Sequence, residues 1–193
     1  HCDGNTVYSK QEPKSLEHTE VMKEMFSTLK GTMWNKLIRT SYYKQCYIQF
    51  YEDLFFLEDL FLMFQFLLHP LKVAYVSKAL YHYERNTNPN SLTMAHGERF
   101  KGYADGICKH FRELLKPHPM FWELWVEKEM PWIAYLSLYY NVFTANRFHQ
   151  EFGYFSRLKA RNINDFIVRI AVNNYRIGRC LILLRKTIGK IKS

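Results

Sequence analysis

Apolar residues recur at helical spacing along most of this chain, and the breaks between the recurrences divide it into segments. Residues 1–12 are polar and turn-rich (Asp3, Gly4, Asn5) and read as an irregular lead-in that runs up to Pro13. Residues 15–29 fit an amphipathic helix: Ser15 can cap it, Leu16, Val21, Met25, Phe26 and Leu29 form its stripe, and Gly31 stops it. Residues 33–39 suit either a strand or a turn, and 41–46 a single helical turn. Residues 55–69 form a strongly apolar helical stretch that ends at Pro70, since proline lacks the N–H a helix needs. The β-branched and aromatic runs 73–76 and 80–83 flank Ser77 and Lys78, which predicts a two-stranded hairpin. Residues 84–91, rich in Asn and polar groups, read as a mobile loop.

The second half is helical throughout. Helices are expected over 99–116, 120–128, 131–144 and 146–158, with Pro117 and Pro119 breaking the first from the second. The last, 162–191, is the most regular: Ile163, Ile170, Ile177, Leu184 and Ile191 are spaced by seven. Asn173 and Asn174 interrupt its stripe. Two regions are therefore expected, 1–95 and 96–193, in an α+β but predominantly helical chain.

Composition sharpens this picture. At 193 residues, 48% hydrophobic and 17% aromatic, the chain can bury a sizeable core. No apolar run is long enough to span a bilayer. The chain opens on His1, as a piece of a longer protein would. Cys2, Cys46, Cys108 and Cys180 lie far apart with no metal-site spacing, which favours free thiols and a reducing, cytoplasmic setting. The net charge of +9 is confined to the tail: from Arg157 onward ten basic residues face one acid, Asp165, while the preceding residues are balanced. Three roles stay open for the basic tail helix: packing on the domain, lying on an anionic membrane surface, or pairing with another subunit. Nucleic acid is not an expected partner, because the positive charge lacks interleaved exposed aromatics and no nucleic-acid motif is present.

Candidate chemistry centres on Glu58 and Asp59, which open the apolar helix 55–69. A carboxylate at a helix N-terminus is kept ionised by the dipole and is held rigidly, as a general base must be. The surrounding run is Gly31, Thr32, Met33, Trp34, Asn35, Lys36, then Leu57, Glu58, Asp59, then Tyr81, His82, Tyr83, Glu84, Arg85 and Asn88, Pro89, Asn90, Ser91. In order and spacing it resembles the acceptor half of family 2 glycosyltransferases, inverting enzymes of the GT-A fold, over roughly residues 15–93.

The resemblance implies a partial GT-A acceptor half with a small β-hairpin, followed by a C-terminal helical extension. It implies transfer of a sugar from a nucleotide-sugar donor to a glycan or lipid-linked acceptor, with Asp59 as base and Glu58 as its structural partner. Trp34 and Lys36 would border the acceptor pocket, an indole being suited to a sugar face and a lysine to hydroxyls or phosphate. Arg85 and Ser91 would close over the donor diphosphate, with His82 as packing and no metal ligand. Glu52 and Asp53 are assigned to a surface turn. The family's Asp-x-Asp motif is absent from the sequence. A divalent metal (Mg or Mn) would therefore be supplied by another part of the full-length enzyme, and the piece alone is expected to be inactive. The localisation implied is cytoplasmic, at the inner face of a membrane. The rival reading is a non-catalytic helical module for interaction or membrane docking.

Overall fold

The computed structural model describes residues 2–3, 6–7, 11–78, 80–81 and 96–191. Two short strands, β1 (Cys2–Asp3) and β2 (Thr6–Val7), pair antiparallel over two residues. Among the described residues, everything that follows is helix and loop: α1 (His18–Glu24), α2 (Thr40–Gln45), α3 (Glu58–Leu67), α4 (His96–Leu115), α5 (Pro119–Lys128), α6 (Met130–Tyr140) and α7 (Ala145–Phe152). A 3₁₀ turn at Gly153–Arg157 leads to α8 (Ile163–Asn173) and α9 (Tyr175–Ile191).

The α+β expectation, with its GT-A half and β-hairpin, is thereby corrected to a helical architecture. Residues 73–76 carry no strand, and Tyr75 and Val76 are exposed. The second arm of the expected hairpin continues beyond Tyr81, outside the described residues. An isolated two-stranded ribbon is marginal in water unless a further strand or helix covers one face. Here the nearest β-type contact is a single bridge between Glu17 and Lys72.

Other boundaries shift for local reasons. Glu17, and not Ser15, caps α1, its carboxylate accepting from the Glu20 N–H. The segment 33–39 is a turn and not a strand. The helix expected over 55–69 starts only at Glu58, because Leu57 adopts a left-handed conformation (φ 65°) that cannot be helical. Asn141, also left-handed (φ 56°), ends α6 at Tyr140, four residues before the expected limit. The long helix expected over 162–191 is two helices. Asn174 is extended, closing α8, and its Oδ1 accepts from the Ile177 N–H (3.2 Å) to start α9.

The core is aromatic and runs without a break through residues on both sides of position 95. At its centre Phe111 of α4 meets Phe61 and Phe64 of α3 edge-on, with ring centres 5.1 and 6.1 Å apart, and stacks on Trp125 of α5 at 4.0 Å. Phe100, three turns earlier on the same α4 face, packs against Phe56 and Trp132. The buried Gln65 exchanges two hydrogen bonds with the backbone of Gln49 (2.8 and 3.0 Å) and so ties the 46–50 segment to α3.

Phe111 is fully buried among rings that cannot all close over a void. Phe111→Ala is expected to cost about 3–5 kcal/mol in urea denaturation, and a loss below about 1 kcal/mol would contradict this packing.

Candidate functional site

One stripe of α4 determines where the acidic pair stands. Arg99, Gly106 and His110 share a face of α4, and the turn 51–58 runs antiparallel along it. His110 Nε2 and Asp53 Oδ1 are 2.7 Å apart, and Tyr51 stacks on the imidazole at 3.7 Å. The Asp53 carbonyl lies where a side chain on residue 106 would be, so only glycine fits. Arg99 donates to the Phe55 carbonyl and to Glu58 Oε1 (3.2 Å), with its guanidinium over the Phe55 ring. His110, though buried, is therefore a clamp, and its hydrogen bond holds the Asp53 carboxyl below the usual range. Asp53, assigned to a surface turn, is exposed and also half of this clamp.

The turn delivers the chain to Leu57, whose positive φ launches α3 with Glu58 and Asp59 in its first turn. A β-unbranched but bulky residue in this region carries strain, which persists where surrounding contacts over-determine it. Here the α4 stripe supplies those contacts.

On the other side of the pair lies the loop 30–36. Asp59 Oδ2 accepts from the Met33 N–H (3.2 Å). Gly31 is so close to Leu60 that a Cβ there would fall 2.9 Å from the Leu60 Cα. Lys36 curls the loop: its Nζ donates to the Lys30 carbonyl (2.9 Å), the Thr32 carbonyl (2.6 Å) and Asn35 Oδ1 (2.8 Å). All three N–H groups are thus engaged within the loop, which makes Lys36 a pin and leaves it no donor for a sugar. Burial pushes its ammonium down to about 8, against the favourable charge of nearby Asp59. Trp34 stacks on Tyr81 with ring centres 4.4 Å apart.

The structure thus brings four of the sequence candidates, Glu58, Asp59, Trp34 and Lys36, to one end of α3. Arg85 and Ser91 lie outside the described residues, as does the loop 84–91. Sequence reasoning missed Arg99, and it placed Tyr81 in the run that would close over the donor diphosphate and not against Trp34. Arg99 was visible only as a cation beginning the α4 stripe at Arg99, Gly106 and His110, and its partner is 41 residues away.

The two acids do not suit a divalent metal. Glu58 faces a guanidinium, Asp59 faces an amide beside an ammonium, and no group of three His, Cys, Asp or Glu among the described residues could hold an ion. A concavity elsewhere, lined by Arg112, Trp122, Arg147, Glu151 and Tyr154 among others, has its charges matched internally. Buried Glu151 pairs with Arg112 and with Arg147 (2.8 Å), and Arg147 also reaches Asp105. This is a structural network joining α4 to α7.

No protein-family model, no curated protein and no solved structure matches this chain.

The coupling of Lys36 to Asp59 has a measurable sign. By NMR titration the Lys36 ammonium should lose its proton near pH 8. Asp59→Asn, which removes the favourable negative charge, should move that titration lower still. A Lys36 titration in the ordinary lysine range, unmoved by Asp59→Asn, would contradict this arrangement.

Proposed function

We propose that the first turn of α3 is the acceptor side of an inverting sugar-transfer centre, with Asp59 as its general base. The observation that carries this reading is the state of Asp59. It opens a ten-residue buried helix, one oxygen is oriented by the Met33 N–H, and the other has no hydrogen-bond partner among the described residues. Its neighbour Glu58 is instead tied to Arg99. The pair divides into one anchored acid and one available acid, which is the division that a base and its structural partner require.

In the step proposed, the acceptor hydroxyl oxygen forms a bond to the anomeric carbon and passes its proton to the Asp59 carboxylate. The bond from that carbon to the nucleotide diphosphate breaks on the opposite face, and the diphosphate leaves with the electron pair. Inversion follows from attack opposite the leaving group. Lys36 holds the loop that orients Asp59 before the step. Trp34 and the exposed Tyr81, stacked together, offer an aromatic platform for a sugar ring of the acceptor. The donor's diphosphate and its metal are assigned to groups other than Glu58 and Asp59, so no step here runs through a cation.

Sugar transfer by the protein that carries this chain, assayed with nucleotide-sugar donors and glycan or lipid-linked acceptors, tests the reading. Asp59→Asn should lower kcat by about 10³-fold with an unchanged Tm, as removal of a general base does. Trp34→Ala should raise the acceptor KM more than it lowers kcat. Transfer that persists at the parent rate in Asp59→Asn would overturn the assignment.

A further inference from the structure

The seven-spaced residues of the tail acquire a different meaning once the chain turns back at Asn173 and Asn174. Helices α8 and α9 run antiparallel, and two contacts fix their register. Gly178 is packed directly on Ala171, and Arg185 donates to Asn164 Oδ1. Residues 164 and 171 of α8 and 178 and 185 of α9 therefore form the seam.

In antiparallel helices, the residue before each seam position turns to the same side of the pair. Those residues are Ile163 and Ile170 on α8, and Ile177 and Leu184 on α9. The residues after the α9 seam positions turn to the opposite side: Arg179 donates to the Leu138 carbonyl, and Lys186 to the Tyr139 carbonyl (2.6 Å), both in α6. One side of the hairpin is thus fastened to α6, and the other is an outward apolar face. Ile163, Phe166, Ile177 and Leu184 on it are 56, 50, 51 and 60% exposed.

We propose that this outward face of the α8–α9 hairpin docks on an anionic lipid bilayer surface, lying in the interface with both helices parallel to the membrane. Charge selects this occupant. The segment from Arg157 onward carries ten basic residues against Asp165 alone, and Asp165 is already paired with Arg161. Arg169 and Arg176 are exposed on the helix sides away from the seam, and neither forms an ion pair among the described residues. An apolar face flanked by unpaired guanidinium groups matches acyl chains below and anionic headgroups beside them.

A second copy fits less well, since a twofold contact through this face would bring two strongly basic surfaces together. No helix among the described residues is long and apolar enough to cross a membrane, so the contact is interfacial and not spanning. The surface is distinct from the α3 site and does not rest on the role of Asp59.

Co-sedimentation of the full chain with vesicles tests the proposal. Vesicles of equal phosphatidylcholine and phosphatidylglycerol should bind at least about tenfold more tightly than phosphatidylcholine alone, and added salt should weaken the binding. Arg169→Gln and Arg176→Gln should each weaken it about fivefold. Phe166→Asp and Leu184→Asp, at sites already exposed, should keep the parent circular dichroism melt and lose about tenfold in vesicle binding. No binding to anionic vesicles would overturn the proposal, as would binding unaffected by Phe166→Asp and Leu184→Asp. A dimer seen by light scattering and abolished by Leu184→Asp, without vesicle binding, would assign the face to a second copy instead.

Discussion

The packing of the turn 51–58 along one stripe of α4 is the constraint on which the rest of the molecule depends. His110 holds Asp53 and Tyr51, Gly106 admits the Asp53 carbonyl, and Arg99 holds Phe55 and Glu58. These contacts join residues 41 to 59 apart in sequence, so each closes a long loop whose entropy must be offset by the burial it permits. On the neighbouring face α4 presents Phe111 to Trp125 and Phe100 to Trp132, so the C-terminal helices are built on the same rod.

This arrangement accounts for the difference between two adjacent carboxylates. Leu57 is forced into a left-handed conformation between the fixed turn and the buried helix that follows. Glu58, on the α4 side, is neutralised by Arg99, while Asp59, one helical step of 100° on, faces the loop 30–36. That loop is itself shaped by a half-buried lysine whose three donors all turn inward. The reactivity proposed for Asp59 follows from what surrounds it and not from its identity, since Glu58 has an equivalent carboxyl group.

Much of the helical content was legible in the residues. Apolar spacing placed α4 and α5 to within a few positions, and the acidic pair was correctly read as opening a buried helix. The hairpin was misread because β-branched residues at 73–76 signal a strand only when a partner strand or covering layer exists. The tail was misread for a different reason. A seven-residue repeat is nearly symmetric about Asn173 and Asn174, so one long amphipathic helix and a hairpin with one apolar face produce the same pattern. Only the Gly178 to Ala171 contact and the capping by Asn174 distinguish them. The cluster at Glu58, Asp59, Trp34 and Lys36 was foreseen as a group, yet the inward use of Lys36 was not, because spacing does not reveal which way a flexible ammonium turns.

The most direct test of the α4 constraint compares two glycines on the same helix. A Cβ at Gly102 meets nothing within 4 Å, whereas at Gly106 it would overlap the Asp53 carbonyl. In urea denaturation Gly102→Ala should stabilise the fold by up to about 1 kcal/mol through helix propensity. Gly106→Ala should instead destabilise it by about 1–3 kcal/mol, the steric conflict outweighing the same propensity gain. Stabilisation by both substitutions alike would show that the turn 51–58 does not rest on α4, and would contradict the account.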